Sequence, residues 1–295
     1  MNMPYHPAAA KRIDELSPAN GEQNLGGLLL DAGKLTAAGA ERALQLQKAE
    51  NLRFGEAAIQ LGLITEADLC QALSQQFSYP YLSPGEGHFS PELVAAYQPF
   101  GPQVESLRAL RSQLMLRWFT AGHKALAIAS INPGDGASYL AANLAVVFSQ
   151  LGERTLLIDA DLRRPRQHVL FNLGNRPGLS DMLAGRAGMS AVTRIPAFLN
   201  LSVLTAGAVP PNPSELLSRA ASPIKLEDFA QHHDVILLDT SAARTSADAE
   251  MVAVRSGGAL LVLRQDHTQL AAAAAFQANL SSAGATLIGT VLNQF

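Results

Sequence analysis

Cysteine is almost missing from this chain. Cys70 is the single thiol in 295 residues, which excludes an intramolecular disulfide framework and fits a reducing compartment. No apolar stretch approaches the about 18–20 residues of a membrane span, and the opening MNMPYHPAAAKRIDEL carries no apolar signal-peptide region. Charge is also sparse, at 16% against 48% hydrophobic residues. That balance excludes a disordered or fibrous chain and supplies ample core. Twenty-two basic and 25 acidic residues give a net −3, which excludes a broadly basic, nucleic-acid-coating surface but not a local basic patch. The expectation is a soluble cytoplasmic protein with no nucleic-acid partner. At about 150 residues per domain, the length suggests two modules or one large one.

Residues 1–21 lack hydrophobic period and read as a tail. From 22 to 82 the sequence repeats itself at an offset of 29: Gly26 matches Gly55, Gly33 matches Gly62, Leu35 matches Ile64, Thr36 matches Thr65, and Gln47 matches Gln76. Each copy predicts a short helix ended by a glycine, then a threonine that caps a second helix. Ile64, Leu69 and Leu73 fall on one face of that second helix. Two units are too few for a solenoid, so a small helical domain is expected. Residues 83–103 concentrate proline and glycine and predict a linker with a short helix near Glu92–Tyr97. Charge divides similarly, with 6 basic and 11 acidic groups in residues 1–100 against 16 and 14 in the remainder.

From 104 to 295 short apolar runs alternate with helical patterns. Strands are predicted at Ala125–Ser130, Arg154–Ile158, Leu201–Thr205, Val235–Leu238, Ala259–Leu263 and Thr286–Leu292. Nearly continuous apolar strands imply a sheet covered on both faces, so the fold class is α/β with a doubly wound, mostly parallel sheet. The first strand runs into Asn132-Pro133-Gly134-Asp135-Gly136-Ala137-Ser138, followed by a helix from Tyr139. Strand, glycine loop and helix together present backbone N–H groups and a positive helix end to phosphates. Ala137 stands where a phosphate-binding loop normally has lysine. The loop alone therefore admits two readings, a cradle without its lysine or a tight turn with no ligand. Two apolar strands then end in carboxylates, at Asp159-Ala160-Asp161 and at Asp239. These strand ends lie where open α/β sheets bind ligands, and Asp159, Asp161 or Asp239 could position Mg²⁺ or water.

With those segments in that order, residues 104–295 resemble the bacterial tyrosine kinases, P-loop proteins related to the MinD and ParA ATPases. Glu105-Ser106-Leu107-Arg108-Ala109-Leu110-Arg111 has that family's E-x-x-R-x-x-R spacing. Asn132–Ser138 resembles its Walker A loop, Leu157–Arg164 its second acidic motif, and Val235–Asp239 its Walker B strand. Gly178–Leu183, Pro210–Leu217, Asp248-Ala249 and Gly289–Asn293 resemble further family segments. The arrangement is similar to the EpsG type of chain-length-determinant kinase.

The resemblance implies ATP/ADP and Mg²⁺ as ligands and transfer of phosphate to protein tyrosine. Gly134, Asp135, Gly136, Ala137, Ser138 and Tyr139 would bind nucleotide. Ser138, Asp159 and Asp239 would hold the metal, and Asp159, Asp161 and Asp239 would be catalytic. It also implies a homo-oligomer packed through Glu105, Arg108 and Arg111, recruited to the inner membrane by a Wzz-like polysaccharide chain-length determinant. Two departures open other readings, a pseudokinase scaffold or a MinD/ParA-like ATPase. Ala137 removes the phosphate lysine, for which Arg163, Arg164 or Lys124 could substitute, and all five tyrosines lie at or before position 139.

The amino-terminal copies, at 24–47 and 53–76, resemble the cyclic di-GMP-binding domain of type II secretion ATPases (the MshEN type). Arg53, Gly55 and Gly26 would contact cyclic di-GMP. Asn24 replaces the matching arginine of the first copy, leaving open a helical interaction module that binds no nucleotide. Trp118 is expected in the core, and His232-His233 in a loop without metal partners.

Overall fold

The structure is a computed structural model that describes residues 24–76, 82, 87–218 and 226–294. The predicted tail lies outside the described residues, as does part of the predicted linker. The chain forms two compact units, Met1–Tyr79 and Pro80–Phe295.

The first unit contains α1 (Leu25–Asp31), α2 (Ala37–Glu50), α3 (Phe54–Gln60) and α4 (Glu66–Gln76). Its repeat has a direct structural cause. Gly33 and Gly62 both adopt left-handed backbone, φ +66° and +64°, where a side chain would be strained, and each ends the first helix of its copy. Thr36 Oγ1 then accepts from the Gly39 N–H at 3.1 Å, and Thr65 Oγ1 from the Asp68 N–H at 3.2 Å. Leu29, Leu35, Ala43, Ala58, Ile64 and Ala72 make the core.

The second unit holds a seven-stranded sheet. Its strands are β1 (Ala125–Ser130), β2 (Thr155–Asp159), β3 (Thr193–Arg194), β4 (Leu201–Leu204), β5 (Val235–Asp239), β6 (Gly258–Arg264) and β7 (Thr286–Asn293). The order is β3-β4-β2-β5-β1-β6-β7, parallel except for β3 against β4. Alternation along each strand sorts side chains to the two faces. Leu126 and Ile128 of β1 join one core with Leu157 and Leu237, packed under α6 (Pro102–Arg117) and α7 (Ala137–Gln150). Ala125, Ala127 and Ala129 join the other with Leu156, Ile158 and Ile236, under the helices Asp248–Ser256 and Leu270–Ser282. Residues buried on both faces explain the continuous apolar runs.

The segment expected to be a linker is, where described, part of this unit's packing. Leu93, Ala95 and Ala96 are fully buried around α5 (Val94–Tyr97). Asn143 of α7 accepts from the Ala95 N–H at 2.9 Å and donates to the Glu92 carbonyl at 2.9 Å. Trp118 is buried and donates to the Ala125 carbonyl at 2.8 Å. Among the described residues no helix is long and apolar enough to cross a membrane.

Candidate functional site

β5 lies between β1 and β2, so three strand ends converge at one edge of the sheet. The register sets Asp159 directly beside Asp239 and Asp239 beside Ile128. The loop leaving β1 folds back there, with Gly134 at φ +85° and Gly136 at φ +98°. Gly136 caps α7 with no side-chain acceptor, which leaves the first-turn N–H groups of a 14-residue helix for an anion. A cavity of about 190 Å³ opens at this point, lined by Gly134, Gly136, Ala137, Ser138, Asp161 and three arginines at 163, 164 and 166, among others.

Both strand-end carboxylates are fully buried. Asp159 Oδ2 accepts from the Arg166 and Gln167 N–H groups at 3.0 and 2.9 Å. Asp239 Oδ2 accepts from Gln167 Nε2 at 2.7 Å. The remaining oxygens, Asp159 Oδ1, Asp239 Oδ1 and Gln167 Oε1, meet no donor. Burial pushes the Asp239 carboxyl up to about 7, with Gln167 and Ser138 pulling the other way. Asp159 is raised well above the usual range, first by burial and then by the Asp239 charge beside it. Two such groups side by side retain a proton between them unless a cation replaces it.

Three partnerless acceptors, two of them carboxylate oxygens, and a nearby hydroxyl suit a divalent cation that keeps much of its own water, as Mg²⁺ does. Ser138, Asp159 and Asp239 therefore fit that ion. Among the described residues no three His, Cys, Asp or Glu side chains gather into an all-protein metal cage, so ligand oxygens and water would complete the shell. Asp161 lines the cavity and is partly buried, and its Oδ1 caps the turn by accepting from the Arg163 and Arg164 N–H groups at 3.0 and 2.9 Å.

Other expected residues sit elsewhere. Asp135 contributes its backbone to the loop, but its buried carboxylate turns away from the cavity. It meets the Asn132 N–H at 2.9 Å, His267 Nδ1 at 3.1 Å and Thr268 Oγ1 at 3.1 Å. Tyr139 is absent from the cavity wall, and its hydroxyl is raised by burial and by Glu92. Lys124 precedes β1, at the opposite edge of the sheet. Its ammonium donates to the Ala230 and His233 carbonyls at 2.9 and 3.2 Å, so it cannot stand in for the missing lysine. Glu105 and Arg108 pair along α6 at 3.2 Å, while Arg111 reaches across to the Val147 carbonyl of α7 at 2.8 Å.

In the first unit, Gly55 serves close packing, whereas Gly26 has room for a side-chain carbon. A Cβ on Gly55 would lie 2.7 Å from Leu69 Cδ1, and one on Gly26 would lie 3.5 Å from the Phe54 ring. Arg53 is exposed, and its N–H donates to Glu56 Oε2 at 2.9 Å. Asn24, at the position of the first copy's arginine, caps α1 by accepting from the Gly27 N–H at 2.8 Å.

Gln167 escaped the sequence reading, although it ties Asp159, Asp239 and the Ser138 carbonyl (3.1 Å) together. Its signal was weak. It is an amide directly after the basic run, opening the four-residue helix α8 (Gln167–Leu170).

No protein-family model matches the chain. It is similar to the tyrosine-protein kinase YwqD of Bacillus subtilis, 34% identical over 201 residues that make up 68% of this chain and 85% of that one. CapB of Staphylococcus aureus, assigned as a tyrosine-protein kinase, is 35% identical over 190 residues, 64% of this chain and 83% of that one. The solved kinase domain of the Escherichia coli tyrosine kinase Etk superposes with a TM-score of 0.65 at 33% identity, covering 68% of this chain and 79% of that domain. Against full-length Etk the match spans 28% of the relative.

Proposed function

This chain belongs to the bacterial tyrosine-protein kinase family, and we propose that it transfers the γ-phosphoryl group of ATP to a tyrosine hydroxyl of a protein substrate. The observation that carries this reading is the pair of buried carboxylates with partnerless oxygens, beside a glycine loop open at a helix N-terminus. The loop N–H groups from 134 to 138 hold the phosphates. Asp159, Asp239 and Ser138 would hold Mg²⁺, which when bound would supply positive charge beside the transferring group. Asp161, on the cavity wall, accepts the tyrosine proton as the tyrosine oxygen bonds to phosphorus and ADP leaves. Gln167 positions both metal carboxylates.

The biological setting we propose is control of exopolysaccharide chain length and export. The chain would act as a cytoplasmic homo-oligomer assembled through Glu105, Arg108 and Arg111, recruited to the inner membrane by a chain-length determinant. The paired glycine-ended helices and exposed Arg53 support a cyclic di-GMP site in the amino-terminal unit.

Calorimetric titration of the full chain with ATP and ADP, with and without Mg²⁺, tests the first reading. It should be paired with phosphate transfer from labelled ATP to a tyrosine-containing copolymer. Mg²⁺-dependent micromolar binding and labelled tyrosine are expected. Ala137 favours a second reading, a pseudokinase scaffold that binds nucleotide weakly or not at all, and the absence of binding and of transfer at millimolar nucleotide would favour that one instead. For the amino-terminal unit, cyclic di-GMP should bind the full chain and fail to bind the Arg53→Ala variant.

A further inference from the structure

Ala137 lines the cavity where the family's loop carries its ammonium group, so any compensating charge must come from another element. Four cations besides Lys124 stand near enough to consider. Arg163 is fixed, with Nε to Asp248 Oδ2 at 2.7 Å and Nη2 to Ser214 Oγ at 2.8 Å. Withdrawing it would leave Asp248, only 2% exposed, with a bare buried charge. Arg166 is paired with Glu92 at 2.8 Å. Arg244 turns towards Asn132 Oδ1 at 3.4 Å and is absent from the cavity wall. Arg164 differs from all of these. Its backbone is pinned by Asp161, its side chain is exposed on the cavity wall, and among the described residues its guanidinium meets no carboxylate and no other acceptor.

We propose that Arg164, in the segment after β2, supplies the positive charge that Ala137 does not, contacting the terminal phosphates of the bound nucleotide. This rests on the nucleotide reading above and deepens it. A guanidinium offers two parallel donors to phosphate oxygens, where an ammonium offers a point charge. It arrives on a mobile stem instead of the rigid first turn of a helix. The turn at 161–164, held by Asp161 Oδ1, keeps the base of that stem at the cavity wall, and the guanidinium has no other acceptor among the described residues to give up.

The test is a double-mutant cycle on MgATP affinity in the full chain, using Arg164→Ala, Ala137→Lys and both together. Arg164→Ala is expected to weaken MgATP at least about tenfold, with an unchanged melting temperature because the side chain has no structural partner. Arg164→Lys should retain part of the affinity. Ala137→Lys should tighten binding, and in that background Arg164→Ala should lose less than about threefold, because one cation then suffices. Equal losses in both backgrounds, or no loss in the parent chain, would overturn the role of Arg164 while leaving the nucleotide site standing. Failure of the parent chain to bind MgATP at millimolar concentration would instead overturn the nucleotide reading, and this inference with it.

Discussion

Replacing Asp239 by Asn should stabilise the ligand-free protein while abolishing the phosphoryl transfer we propose. The carboxyl is fully buried and raised from 3.8 to about 7. The folded state therefore holds a proton that the unfolded chain releases above its ordinary value. Such a group leaves stability intact below about pH 4, erodes it as pH rises towards 7, and adds no further slope above that. At ~1.4 kcal/mol per pH unit, ionising it at pH 8 costs up to about 4 kcal/mol. Asn removes that charge, and its amide can donate to the partnerless Asp159 Oδ1 or Gln167 Oε1. Some of the gain goes to reorienting the Gln167 amide, so we expect about 2 kcal/mol at pH 8. For a unit of this size that is a rise of about 4–8 °C in melting temperature.

Thermal unfolding of both proteins at pH 5, 6, 7 and 8 in a chelator is the assay. The gap should be small at pH 5, open by pH 8, and narrow again in millimolar Mg²⁺, which stabilises the ionised pair of the parent. His233, held below its usual value by burial, slopes the other way, but it contributes equally to both proteins and cancels in the difference. Parallel curves, or an Asn variant less stable at pH 8, would refute the reasoning.

Two more outcomes follow from close packing and from a buried ion pair. A Cβ on Gly178 would sit 2.2 Å from the Thr205 carbonyl oxygen and 2.3 Å from the Gly207 nitrogen, both backbone atoms that cannot swing aside. Gly178→Ala should cost about 3 kcal/mol in urea unfolding, against under about 0.5 for Gly188→Ala, where nothing lies within 4 Å. Arg163→Ala should cost about 3 kcal/mol by stranding the Asp248 charge, and adding Asp248→Asn should recover most of it. Recovery of less than a third would mean that Arg163 acts through something other than that pair.

The sheet was legible because its strands are apolar on both faces. β1 falls at the predicted Ala125–Ser130, and the other long strands begin and end within a residue of expectation. β3 was not, since two residues pairing antiparallel at an edge carry no period. The glycine loop and the strand-end aspartates were visible as local patterns. Gln167 and the grip of His267, Thr268 and Asn293 on Asp135 were not, because those partners lie 8 to 158 positions away. Residues 87–101 were misjudged from composition. Proline and glycine there shape a chain that lies against α7 and buries Leu93 fully. Lys124 failed as a candidate for a topological reason, since a residue that precedes a parallel strand stands at the edge away from the ligand.

The position of β5 also shapes how the chain acquires its structure during synthesis. β1 and β2 emerge from the ribosome first but are not neighbours; the slot between them waits for residues 235–239, which pair with both. Until then the nascent chain exposes two apolar strands with open edges, the usual setting for mispairing. The last strand then reaches back, with Asn293 Nδ2 donating to the Asp135 carbonyl across 158 positions. Pairings this distant in sequence slow folding, and the glycine loop receives its contacts from His267, Thr268 and Asn293 only once those residues have been made.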